Sequence, residues 1–370
     1  MQDISKEISL KEVRLENIRD GIGEGLLEAG NINKDVFVLC ADLTESTRAT
    51  AFKERFPNRF VEIGVSEQNL IGVSVGLSMI NKIPFALSFA VFSPGRTWDQ
   101  IRVNVCYNNA NVKIIGGHAG ITAGADGGTH QALEDIAIMR VLPNMTVIVP
   151  CDKEQARKAV ISSSNHLGPV YIRSSRDKSA SITDKNTPFE IGVAQVLAYG
   201  KDVLIIACGI MVHEALVARE ILLKESGLSC SVVNFHTIKP IDKQTLVYLA
   251  SQHKLCIVCE EHQINGGLFG AVSEVLSSLH PIKIISVGVK DSFGESGGAK
   301  ELLKKYGLDS DSIINTIKDN FRKNHFFKER YICEKCLREY NKPQKCEDCG
   351  IEVVKKCPNC DNPKSRCICC

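Results

Sequence analysis

Glu67 stands where a strand gives way to a helix. Phe60 to Ile63 reads as a short buried strand, Gly64 and Val65 turn the chain, and Ser66 is a helix-capping residue. Ile71, Val75 and Met79 then recur at helical spacing. A carboxylate in a first helical turn has a plain structural reading, because the positive end of the helix dipole favours it by a few tenths of a kcal/mol. The next turn, Gly72-Val-Ser-Val-Gly76, is small and apolar, and it turns Glu67 toward a packed interface rather than water. A buried, unpaired carboxylate stays protonated and can then donate a hydrogen bond.

Eight further residues fall at the ends of predicted strands or in the loops after them, where open parallel sheets bind ligands. They are Arg19, Asp42, Ser46, Phe92, His118, Asp126, His130 and Arg176. Singly, each has a structural reading: Asp126 as a turn residue, Phe92 as core, His118 as a partner of a backbone carbonyl, Arg176 as a solvated strand end. Together with Glu67 they supply an aromatic platform, a buried acid, two histidines and two cations, a set suited to a phosphorylated sugar. The proton donor at Glu67 suits thiamine diphosphate, whose aminopyrimidine must be protonated to help form its carbanion.

The elements that position these residues alternate. Leu10 to Ala29 reads as an amphipathic helix with Ile18, Ile22 and Leu26 on one face, and Val36–Cys40 and Pro84–Phe92 as strands. Trp98–Tyr107 is helical, and Val112–Gly116 is a strand before a long glycine-rich loop, Gly116 to Gly128. Leu133–Val141 and Lys153–Ser163 read as helices around the strand Met145–Val149, with Val170–Arg173 a further strand. Continuously apolar strands between helices predict a parallel sheet covered on both faces. The domain spans 10–176, a polar linker 177–190, and a second, smaller α/β domain 191–324. Cys256 and Cys259 are spaced Cys-x-x-Cys, but inside a strand positions i and i+3 point to opposite faces, which favours core thiols over a redox pair.

The 370 residues are 44% hydrophobic with net charge +2, so nothing calls for nucleic acid or a membrane surface. The longest apolar run, Val203–Val212, is far short of the ~20 residues of a membrane span, and the first residues lack the apolar core of a signal peptide. Of 16 cysteines, seven are scattered among apolar neighbours and nine crowd into Cys333 to Cys370, which fits a cytoplasmic protein with a cysteine-rich tail. Cys333-x-x-Cys336, Cys346-x-x-Cys349 and Cys357-x-x-Cys360, followed by Cys367, Cys369 and Cys370, predict a zinc module over 330–370. Two sites of four ligands would take Cys333, Cys336, Cys346, Cys349, Cys357, Cys360, Cys367 and Cys370, with the pairing open.

Several stretches resemble the C-terminal half of transketolases: Ala41–Ser46 (ADLTES), Gly64–Asn69 (GVSEQN), Phe89–Phe92 (FAVF), Asp126–Pro150, Gly168–Arg176 (GPVYIRSSR) and Phe293–Gly297 (FGESG). The resemblance runs from about residue 10 to about 322 and implies a pyrimidine-binding domain followed by a transketolase C-terminal domain. By it, Glu67 touches the aminopyrimidine and Phe92 stacks on it, with Asp42 near the cofactor across a subunit contact. Asp126 and His130 address the hydroxyls around the sugar's carbonyl, and Arg19, Ser46, His118 and Arg176 hold the far phosphate. Gly127-Gly128 stands where many members have Gly-Pro, and the Gly-Asp-Gly motif that binds magnesium and diphosphate occurs nowhere in the chain. The resemblance therefore implies half of an active site, completed by a separate N-terminal subunit, most simply as α2β2. The implied reaction passes a two-carbon ketol unit between sugar phosphates. A 1-deoxy-D-xylulose-5-phosphate synthase, a 2-oxoacid dehydrogenase β subunit and a non-catalytic adaptor are the alternatives.

Overall fold

The computed structural model describes residues 13–325, 331–340 and 343–356, which fall into two compact units divided between Asn315 and Thr316. The first unit opens with strand β1 (Leu15–Asn17) and helix α1 (Ile18–Ile32). The helix predicted from Leu10 thus starts later: residues 10–12 lie outside the described ones, and Leu15 to Asn17 are extended. Ile18, Ile22 and Leu26 are buried as expected. On the other side of α1, a Cβ at Gly21 would lie 1.9 Å from the Lys153 carbonyl oxygen, so only glycine lets the helices meet there.

Next come β2 (Val36–Cys40), α2 (Thr50–Arg55), β3 (Phe60–Glu62), α3 (Glu67–Met79) and β4 (Ile83–Phe89). Helix α4 (Trp98–Gln100) runs on as a π-helix, Ile101–Tyr107, before β5 (Lys113–Gly117). The glycine-rich loop contains a kinked 3₁₀ segment, Ile121–Asp126. Then follow α5 (Asp135–Arg140), β6 (Thr146–Ile148), α6 (Lys153–Asn165), β7 (Val170–Arg173) and β8 (Lys178–Ala180). The remainder of the unit holds β9 (Gln195–Ala198), β10 (Val203–Ala207), α7 (Met211–Ser226), β11 (Cys230–Asn234), β12 (Thr237–Lys239), α8 (Lys243–Ser251), β13 (Leu255–Gln263), α9 (Leu268–Leu279), β14 (Lys283–Val289), α10 (Ala299–Lys305) and the start of α11 (Ser310–His325).

Two parallel sheets form, as the alternation predicts, but each gains an antiparallel edge. The first has the order β12-β6-β7-β5-β4-β2-β3, and its outermost strand β12 comes from the second half of the chain. The second has the order β14-β13-β10-β11-β9, with β9 antiparallel. Successive strand residues serve opposite cores: Phe85 and Leu87 pack with α1 and α6, Ala86 and Ile114 with α3 and α5. The core under α3 and α5 runs on through Leu204, Ile206, Val233, Cys256 and Val258, so the two sheets share one apolar interior. Cys256 and Cys259 are both buried, and only Cys256 joins this face.

The stretch expected to be a linker begins as a strand. Lys178–Ala180 pairs antiparallel with Leu15–Asn17, Asn17 facing Lys178. The pairing ends there, just before Arg19 in α1 and just after Arg176, and both arginines line one cleft.

The second unit contains three short antiparallel strands, β15 (Tyr331–Ile332), β16 (Glu339–Tyr340) and β17 (Val354–Lys355), in the order β16-β15-β17. Its two turns are alike. The Leu337 N–H donates to the Cys333 carbonyl and the Gly350 N–H to the Cys346 carbonyl, each at 2.8 Å, and both donor residues have left-handed backbone, φ 61° and 67°. The predicted ligands Cys357, Cys360, Cys367 and Cys370 lie outside the described residues. Among the described residues, no helix is long and apolar enough to cross a membrane.

His236, just before β12, stacks on Phe189 at 4.4 Å, and its carbonyl accepts from Val149 N–H at the end of β6. Burial pushes its pKa down to about 4. An unfolded histidine titrates near ~6.5, so between pH ~6.5 and about 4 only the unfolded chain takes up this proton. The stability involved is complete above that window and is lost as pH falls through it. His236→Gln should flatten the acid fall in melting temperature between pH 6.5 and 4; an unchanged slope would show that His236 does not contribute to it.

Candidate active site

Helix α3 follows β3 directly, and the turn between them puts Glu67 at the helix start. Ser66 occupies the cap position, but its hydroxyl makes no capping bond. Glu67 is 6% exposed, although not for the reason its neighbours suggest: Gly72 and Gly76 are exposed, with nothing near them, and Met79 and Ile80 are exposed too. Nor is the carboxylate unpaired. Arg96 Nη1 lies 3.2 Å from one of its oxygens and 3.3 Å from the other. The same guanidinium sits over the ring of Phe92, 4.2 Å from its centre. Sequence reasoning missed Arg96; the signal was its place four residues after Phe92, one turn of chain beyond the aromatic platform.

Phe92 is the centre of an aromatic group. Its ring stacks against Phe89 at 5.9 Å and meets His130 edge-on at 5.4 Å. Phe89 in turn stacks on His118 at 3.8 Å. His130 Nδ1 is 3.0 Å from the Thr129 hydroxyl. Strand order explains the gathering, since β4 and β5 are neighbours and Phe89 pairs with Gly117. Glu67, Phe92, His118 and His130 thus belong to one cluster.

Beside it lies a cationic cleft of about 300 Å³, lined among others by Arg19, Arg176, Lys178, Gly124 and Gly297. Arg19 Nη1 donates to the Ser46 carbonyl at 3.3 Å, while its buried Nε has no partner. Arg176 Nη1 donates to the Ala123 carbonyl at 2.8 Å and to the Asp126 carboxylate at 3.1 Å. Burial first, and then Arg19, Arg176 and Arg48, push the pKa of His118 down to about 3. Arg48, also missed, pairs with Asp20 at 2.7 Å. Asp42 is not drawn in. Its side chain is exposed, its N–H donates to Glu62, and no hydrogen bond or ion pair among the described residues joins its carboxylate to Glu67 or Phe92.

In the second unit the sulfurs of Cys333, Cys336, Cys346 and Cys349 lie within 4.8 Å of one another. Among the described residues this is the single group of three or more His, Cys, Asp or Glu side chains able to hold one metal ion.

Residues 16–180 match the model of the transketolase pyrimidine binding domain, and residues 192–313 that of the transketolase C-terminal domain. The chain belongs to the transketolase family, whose members are transferases that use thiamine diphosphate. It is of the C-terminal-subunit type found where the enzyme is split. It is 45% identical to a putative transketolase C-terminal section of Methanocaldococcus jannaschii, over 83% of this chain and 96% of that one. It is 40% identical to a 6-deoxy-6-sulfo-D-fructose transketolase subunit of a Clostridium species, over 84% and 98%. A solved split-gene transketolase, described as an inactive β4 tetramer, superposes with a TM-score of 0.78 at 44% identity, over 82% of this chain and 98% of that one.

The residues present fit the pyrimidine half of that cofactor. Phe92 and Glu67 already receive a planar cation, Arg96, which lies on the ring and donates N–H to the carboxylate. A protonated aminopyrimidine asks for the same two contacts. Arg96 is exposed, so its ion pair and ring contact are worth about 1 kcal/mol together after screening. Arg96→Leu should therefore bind thiamine diphosphate roughly fivefold more tightly in the assembled enzyme, the equivalent of that energy. Calorimetric titration checks it, and weaker binding would mean that Arg96 holds the cofactor rather than its place.

Proposed function

We propose that this chain, joined to an N-terminal transketolase subunit in an α2β2 assembly, transfers a two-carbon ketol unit between sugar phosphates. The observation that carries this reading is the placement of the Arg19–Arg176 pair beside the Glu67–Phe92–His130 cluster. One part suits a phosphate, the other the reacting end of a sugar. Bound thiamine diphosphate supplies the nucleophilic carbon and the electron sink for breaking and remaking a carbon–carbon bond.

Glu67 holds the proton on the aminopyrimidine's ring nitrogen, and Phe92 orients the ring. His130 and Asp126 bind and orient the hydroxyls beside the carbonyl, with Asp126 held in place by Arg176. Arg19, Arg176, His118 and Ser46 bind the far phosphate, the arginines through charge-assisted hydrogen bonds. Magnesium and the diphosphate fall to the partner, because the Gly-Asp-Gly motif is absent from this sequence. Asp42, exposed at the end of β2, is left to meet the cofactor across a subunit contact. The relatives named for sulfofructose and for apulose 4-phosphate suggest that substrates differ within the family. For this chain we place the reaction in pentose phosphate metabolism and in the cytoplasm. The seven cysteines of the first unit, all buried and free, support that compartment.

Reconstitution tests the reading. The purified chain alone should show no ketol transfer, and adding an N-terminal subunit should restore it. In that complex Glu67→Gln should lower the rate on the order of 100-fold or more, as expected for a positioned proton donor. Transfer by this chain alone, or near wild-type turnover of the Gln variant, would overturn the assignment.

The four tail cysteines are proposed to hold structural zinc. Among the described residues of the tail, Ile332 and Val353 are, apart from the sulfurs, the buried apolar side chains, with Tyr331 and Tyr340 partly buried. At roughly 1.5–3 kcal/mol each, such burial does not offset ordering that costs about 1–2 kcal/mol per residue. Zinc, at roughly 10–16 kcal/mol of apparent binding energy in small fingers, does. Cys346→Ser should lose one zinc per chain by mass spectrometry, and a chain cut after Asn324 should still support transfer. A metal-free wild-type tail, or an assembled but inactive truncated enzyme, would refute this.

A further inference from the structure

The glycine-rich loop carries His118 and Asp126 and leads to His130, and beside Arg176 and Gln131 of its own domain a residue of the second domain holds it. On β13, in the second sheet, Glu261 is fully buried, and one carboxylate oxygen accepts from both the N–H and the hydroxyl of Thr122, each at 2.7 Å. The other oxygen faces Arg173 Nη1 at 3.9 Å and has no hydrogen-bond partner. Gly120 has φ 86°, and a Cβ there would lie 2.3 Å from the Glu261 carboxyl carbon. The carboxylate is therefore pressed against the loop backbone between His118 and Asp126. Another tie lies beside it: Gln131 Nε2 donates to the carbonyls of Ile121, Gly124 and Glu295, joining the loop to the Phe293–Gly297 stretch.

We infer that Glu261 is a positioning residue for sugar binding: through Thr122 it fixes the loop so that Asp126 meets Arg176 and His130 meets Phe92. This rests on the site assignment above and gives the second domain a part in catalysis that it performs without touching substrate. The geometry separates two functions. Glu67, Phe92 and Arg96 hang from α3 and the segment after β4, so the pyrimidine seat does not depend on Glu261. The substrate end does.

The test uses the complex reconstituted with an N-terminal subunit, with rates normalised to folded chain. Glu261→Ala should raise KM for a phosphorylated ketose by roughly tenfold or more, as displaced binding groups do, and leave the affinity for thiamine diphosphate unchanged. Glu261→Gln keeps an acceptor for Thr122 and should restore most of the loss. Hydrogen exchange in the Ala variant should quicken at the amides of 118–130 and not at those of 67–79. If Glu261→Ala does not fold, Thr122→Val removes the hydroxyl bond from the loop side and should show the same pattern more weakly. Unchanged KM in folded variants, unchanged exchange at 118–130, or an equal loss of cofactor affinity would overturn the inference. Unaltered transfer in Asp126→Asn and His130→Asn would instead sink the site assignment, leaving the exchange result to judge Glu261.

Discussion

One buried guanidinium organises the junction of the two sheets. Arg173, at the end of β7, is 4% exposed. Its Nε donates to both oxygens of Asp135, at 3.2 and 2.9 Å, and its Nη2 to the Glu261 carbonyl at 2.7 Å. Tyr171, two residues earlier on the same face, donates its hydroxyl to Asp135. A charge so far from water persists only when fully paired, and stripping one partner from such a pair costs about 3–5 kcal/mol. These contacts fix α5 against β7 and β13 against both. They thereby set the height of Glu261 over the glycine-rich loop, and so the position of everything that loop carries.

The cluster around Glu67 was legible in the sequence because parallel strands announce themselves. Each is a continuous apolar run, and the residue after it lands at one edge of the sheet. That is why Glu67, Phe92, His118 and His130 could be named from the chain alone and why they come together. The Arg19–Arg176 pairing was not legible. It depends on two three-residue strands, Leu15–Asn17 and Lys178–Ala180, too short and too polar to show a period, and Lys178–Ala180 has the composition of a linker. Arg96 was missed because its spacing of four from Phe92 was its one local signal, and its contacts with Phe92 and Glu67 appear only in the fold. Glu261 sits beside Glu260 at the end of an apolar strand, and two acids there were the available hint of a buried polar contact. Asp42 shows the converse, a residue named by resemblance that the isolated fold leaves at its surface.

The chain's contribution to its site is lopsided in a way that physical chemistry explains. It brings together the flat ring of Phe92, the carboxylate of Glu67 and a concentration of arginines. Among the described residues no group of three or more carboxylates gathers as magnesium's near-octahedral array of oxygens would require.

His118 bears on how the cleft treats anions. A histidine beside a phosphate site is commonly taken as a third positive charge, but here that role is closed to it. Its ring is buried against Phe89, and Arg19, Arg176 and Arg48 already fill its surroundings with cations, which holds its pKa down at about 3. At neutral pH the imidazole is therefore uncharged. The cations lining the cleft are Arg19, Arg176 and Lys178, with Asp177 beside them and Asp126 paired to Arg176. His118 is near these cations without lining the cleft itself. Its left-handed backbone, φ 56°, belongs to the same design, since it turns the chain out of β5 and into the loop that Glu261 holds.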